Sequence, residues 1–101
     1  MATQAIGILE TKGLIALVQG TDAMLKSANV EVAGPMKGVG SALVSVTITG
    51  DVAAVKAAIE SGSETAGRYG EVVSAHVIAR PHDDTATLVP ALKPAAKRAA
   101  K

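Results

Sequence analysis

The chain has 101 residues, 49% of them hydrophobic, with ten Lys and Arg against nine Asp and Glu for a formal charge of +1, and no Cys. That length suits one domain with one core and leaves no room for a separate catalytic module. The balanced charge excludes a global field for holding nucleic acid, and the lack of Cys excludes disulfides and thiolate metal ligands. With no Phe or Trp, and Tyr69 as the single aromatic residue, the core must be assembled from Val, Ile, Leu, Ala and Met. Ordering such a chain costs on the order of 150 kcal/mol of conformational entropy. A core this thin points to burial completed at subunit interfaces.

Met1 to Thr11 lacks a basic start followed by a sustained apolar stretch, so it does not read as a secretory signal. The apolar run Leu14 to Val18 is far shorter than the roughly 20 residues that span a bilayer. The expectation is a soluble, cytoplasmic protein with no membrane partner.

In chain order, a first strand is expected over Gln4 to Glu10, and the turn Glu10-Thr11-Lys12-Gly13 leads into a helix from Leu14 to about Ala28. Leu14, Leu17, Val18, Thr21, Met24, Leu25 and Ala28 follow three- and four-residue steps and predict its inner stripe. Val30 to Ala33 is a short second strand, interrupted by Gly34 and Pro35 before a glycine-rich loop, Lys37-Gly38-Val39-Gly40-Ser41. Leu43 to Thr49 is the clearest strand, since Val44, Val46 and Ile48 alternate with Ser45, Thr47 and Thr49 as a sheet with one buried face requires. Gly50-Asp51 stops it, and Asp51 is placed to N-cap a helix from Val52 to about Thr65 with Val55 and Ile59 on its inner face. Gly67 to Gly70 turns the chain into a fourth strand, Glu71 to Ala79, which Pro81 ends.

The order βαββαβ, with both helices on one face of the sheet, predicts an α+β ferredoxin-like sandwich over residues 1–90. Residues 91–101, built of Ala, Leu, Pro, Lys and Arg, form a C-terminal extension, either a fraying basic helix or a disordered tail. The fold is shared by many functions and assigns none of them.

Specific residues carry little chemistry. The candidate metal ligands are His76, His82, Asp83 and Asp84, but neighbouring loop side chains rarely converge on one ion, so no metal site is expected. No Ser sits in a nucleophile-elbow sequence. Ser41 follows Gly38 and Gly40, yet the segment lacks a Gly-Lys-Ser/Thr ending and leads into a strand where nucleotide loops lead into a helix. Neither catalytic nor cofactor-binding residues are expected. A glycine-rich stretch between two strands is most simply a tight connection.

Taken together and in order, four groups of residues resemble the hexamer-forming shell proteins of bacterial microcompartments. They are Glu10-Thr11-Lys12-Gly13; Asp22-Ala23-Met24 with Lys26 to Val30; Gly50-Asp51-Val52 with Ala54 to Ala58; and His76-Val77-Ile78 with Arg80-Pro81-His82. The resemblance covers Ala5 to about Pro90. It implies a non-enzymatic subunit of a cyclic homohexamer with a central pore, packing edge to edge with other hexamers and other shell proteins around encapsulated enzymes. By the same resemblance, Lys37, Gly38, Val39, Gly40 and Ser41 form the pore loop, with one residue more between Lys37 and Gly40 than the usual pattern. Lys26 and Asn29 lie at the hexamer edge, where Arg80 reaches into the neighbouring hexamer with His82 nearby. Around a sixfold axis only small side chains leave an opening, and backbone N–H groups there can receive polar or anionic solutes. Two like charges about 10 Å apart in water repel by roughly 0.4 kcal/mol, so six copies of Lys37 near a wet pore are tolerable. A reading of another class is a ferredoxin-like oligomer that senses a small molecule at its subunit interfaces.

Overall fold

Eight elements follow one another: β1 (Ala5–Lys12), α1 (Leu14–Ser27), β2 (Glu31–Val32), β3 (Lys37–Gly40), β4 (Leu43–Gly50), α2 (Val52–Ala66), β5 (Glu71–Ile78) and a 3-10 turn (Asp83–Thr87). These come from a computed structural model that describes residues 4–88. The extension expected over 91–101 lies outside them. Every pairing is antiparallel, in the order β2-β4-β1-β5, with β3 also on β4.

The helices cover one face because every second residue of the central strands is small or aliphatic there. Leu9, Val46 and Ile48 are buried in a cluster with Leu17 and Met24 of α1 and Val55, Ala58 and Ile59 of α2. Gly7 lets α2 come close, since a Cβ there would lie 2.7 Å from the Ile59 side chain. Two buried polar side chains among the described residues are held by main chain: Thr11 donates to the Gly13 carbonyl at 3.0 Å, and Thr49 to that of Ala5 at 3.0 Å. Burying a hydroxyl without such a partner costs about 1–3 kcal/mol.

Four expectations need correction. The stretch Lys37 to Ser41 is largely a fifth strand and not a loop, because Lys37 and Gly38 pair with Ser45 and Val44. Pairing with an established neighbour outweighs the poor strand preference of Gly and Lys. The first turn is shorter than Glu10 to Gly13, since β1 continues to Lys12. Asp51 occupies the N-cap of α2, but its side chain makes no capping bond, and its carbonyl accepts from Val55 N–H at 2.8 Å as the first helical bond. The helical stripe on α1 is split. Ala16, Leu17, Gly20 and Met24 are buried, whereas Leu14, Val18 and Leu25 are about half exposed.

Candidate functional site

Lys37, Gly38, Val39, Gly40 and Ser41 lie on a hairpin between β3 and β4, and all five are exposed. Gly38 pairs with Val44 and Gly40 with Leu43, which leaves Val39 as an extra residue in a bulge. Val39 is 75% exposed. A bulge takes up one residue without disturbing the ladder on either side. At the tip, Gly40, Ser41 and Ala42 have φ of 94°, 56° and 64°. Three successive left-handed residues reverse the chain sharply, at a cost for the two that are not Gly. The Gly13 N–H donates to the Ala42 carbonyl at 2.7 Å, tying the tip to the start of α1.

Lys26 sits in the last turn of α1, its Nζ 2.8 Å from the Asp22 carboxylate one turn earlier. That hydrogen bond and the Asp22 charge push the lysine above its ordinary range. A cation also suits a helix C-terminus, where carbonyls lack partners. Asn29 is exposed in the connection to β2, and its carbonyl lies 3.2 Å from where a Gly50 Cβ would stand. Arg80 is exposed beyond the end of β5. His82 Nδ1 accepts from Asp84 N–H at 3.0 Å, and the Asp84 carboxylate is 3.9 Å away.

The register relates these groups. Gly50 faces Ala5 and Ile6 faces Ile78, so Asn29, the end of β4, the start of β1 and the end of β5 share one end of the sheet. Leu43 faces Lys12 and Gly40 at the other end. From Leu43 to Gly50 is seven steps of about 3.3 Å, roughly 23 Å. The hairpin and the four residues expected at a hexamer edge therefore stand at opposite ends. Lys26 with Asn29 and Arg80 with His82 lie on opposite sides of β4 and β1, and among the described residues no hydrogen bond or ion pair joins one pair to the other.

His76 is exposed on the uncovered face, opposite Ile8; on the same face Ser74 donates to the Glu10 carboxylate at 3.3 Å. Among the described residues no group of three or more His, Cys, Asp or Glu is arranged to hold a metal ion, and no helix is long and apolar enough to cross a membrane. One feature escaped sequence reasoning. An apolar groove of about 370 Å³ runs between α1 and the β2–β3 connection, where Leu14, Val18 and Leu25 face Val32, Pro35 and Met36. Its signal was present in the width of the α1 stripe, which is greater than one core needs.

Residues 5–81 match the family model described as the BMC domain. The chain is 50% identical over 90 residues to the bacterial microcompartment shell protein PduA of Citrobacter freundii, covering 89% of this chain and 96% of that one. It is 47% identical over 87 residues to the bacterial microcompartment shell protein EutM of Salmonella typhimurium, covering 86% and 90%. It is 43% identical over 88 residues to a carboxysome shell protein of Synechocystis sp., covering 85% and 84%. Among solved structures, a microcompartment protein of Desulfitobacterium hafniense superposes with a TM-score of 0.76 at 30% identity, over 92% of this chain. This chain spans half the length of that protein.

Proposed function

This chain belongs to the BMC-domain family of microcompartment shell proteins, and from that premise we propose that it is a tile of such a shell, a cyclic homohexamer with a pore at its centre. Its role is structural, as that of its relatives is, and the reading assigns it no reaction. Its partners are other hexamers and other shell proteins, and the shell encloses enzymes in the cytoplasm. Residues 1–90 form the shell domain, with 91–101 as its tail.

The observation that carries this reading is the separation of the two candidate sites along β4. A subunit of a perforated tile needs a small, unobstructed end at the axis and a contact-making end at the rim. The hairpin carrying Gly38, Gly40 and Ser41 supplies the first, and Lys26, Asn29, Arg80 and His82 supply the second. Arg80 offers a planar fork of donors suited to carbonyls across a rim, and one modest contact is repeated around six edges. Lys37, at the outer end of the hairpin, gives the opening a positive ring that favours small polar or anionic metabolites.

Negative-stain microscopy with solution mass, for the parent and Arg80→Ala, tests the proposal. Hexagonal sheets or tubes from the parent and discrete hexamers from the variant are expected. A parent that stays a small oligomer and is stabilised by a ligand would favour the sensing reading.

A further inference from the structure

We infer that His82 is a proton-operated catch: its neutral ring closes the 3-10 turn at Asp83–Thr87, and protonation of the ring opens it. The inference rests on the geometry of one subunit and stands apart from the hexamer reading.

The chain leaves β5 through Ala79, Arg80 and the buried Pro81, then enters the turn. The His82 carbonyl accepts from the Thr85 N–H at 2.8 Å and the Thr85 carbonyl from the Leu88 N–H at 3.0 Å, while the Asp84 N–H donates to His82 Nδ1 at 3.0 Å. A helical start leaves its first N–H groups without carbonyl partners, and an N-cap side chain supplies an acceptor for one of them. Ser, Thr, Asp and Asn are the usual caps, and each of them keeps its acceptor oxygen near neutral pH. An imidazole does not.

Nδ1 accepts only in the neutral ring, where the proton sits on Nε2. Once Nδ1 is protonated, a donor faces a donor, and the bond from the Asp84 N–H is lost. A new acceptor is at hand, because the Asp84 carboxylate lies 3.9 Å from the same nitrogen. The two states thus use the same two residues, one state through main chain and the other through a side chain. Both side chains are exposed, at 79% and 91%, so a proton reaches the ring without any opening of the core. The other charged groups of this segment are Arg80 and Asp83. Asp51, which follows Gly50, and Glu31, opposite Thr49, stand at the same end of the sheet.

The change has a fixed boundary. Pro81 is buried and its ring locks its own φ, so β5 and Arg80 keep their places while residues 82–88 respond. Beyond the turn lie four of the ten Lys and Arg and none of the nine Asp and Glu. The catch therefore governs how a purely cationic stretch of sequence is joined to the domain.

Magic-angle-spinning NMR of the full chain, labelled with 15N at histidine, tests this whether or not sheets form. At about pH 8 the His82 ring is expected to carry its proton on Nε2, with His82→Asn identifying its signals against those of His76. A proton on Nδ1 at that pH would overturn the inference. Hydrogen exchange of the Asp84 amide, corrected for the intrinsic effect of pH, gives a second reading. It is expected to rise about 5-fold between about pH 8 and about pH 5, the factor that loss of one cap produces, with β5 unchanged. His82→Asn keeps an acceptor that does not titrate and should hold the amide protected at both values, whereas His82→Ala should leave it open at both. Equal protection of the parent at both values, or the same pH response in His82→Asn, would overturn the inference.

Discussion

Gly20 and Gly62 face each other across α1 and α2, the carbonyl oxygen of each 3.0 Å from where the other's Cβ would stand. No larger residue fits at this crossing without separating the helices, and Gly62 also borders the Met24 side chain. Gly62→Ala should therefore destabilise the fold by about 1–3 kcal/mol through overpacking, less the roughly 0.5–1 kcal/mol that Ala gains over Gly inside a helix. Urea unfolding at fixed protein concentration measures the difference. An unchanged midpoint would show that the helices are free to move apart.

Ala42 carries a left-handed φ of 64° that Gly would adopt without a steric penalty. Ala42→Gly should raise stability by up to about 1 kcal/mol, the left-handed penalty less the extra backbone freedom Gly has in the unfolded chain. Thermal melting of parent and variant, with oligomer mass matched, checks the sign. A lower melting temperature would mean that the Ala42 methyl group makes a stabilising contact elsewhere in the assembly.

The Lys26 pairing implies a pH window. Its hydrogen bond to Asp22, and then the charge of Asp22, raise the lysine's pKa in the folded chain. A raised folded pKa gives a contribution fully present below the ordinary lysine value and lost as pH rises through the folded one. Neutral and mildly alkaline solutions should thus leave the pair intact, with its loss confined to pH above the usual lysine range. Asp22→Asn should abolish that part of the alkaline dependence in a pH titration of stability. Because both side chains are exposed, the change at neutral pH should be small.

Lys37 stands at the outer end of the hairpin, opposite Ser45. Lys37→Ala should reduce passage of a small anion through assembled sheets relative to a cation of equal size, and high salt should mimic the substitution by screening the charge. Equal passage in the parent would sink the anion preference.

The alternation of Val44, Val46 and Ile48 and the stripes on both helices made the layered architecture legible in sequence, because period marks which face is buried. Period does not say what covers that face. Leu14, Val18 and Leu25 were placed with Leu17 and Met24 in one stripe, yet only the latter two are in the subunit core. The strand at Lys37–Gly40 was hidden because its residues have little strand preference of their own and are held by β4. The grouping of Asn29 with Arg80 came from the resemblance alone; its physical reason, the antiparallel register that brings the end of β4, the start of β1 and the end of β5 to one end, could not be read from sequence distance. The side chains at the two ends were readable from a resemblance, while their separation emerged only from pairing.

The bulge at Val39 separates the length of the hairpin from the alignment of the sheet. Residues can be gained or lost there while Lys37 and Gly38 keep their partners on β4 and the far end of the strand stays in place. The reach of the hairpin can thus be tailored, by evolution or by an engineer, without disturbing the opposite end of the sheet.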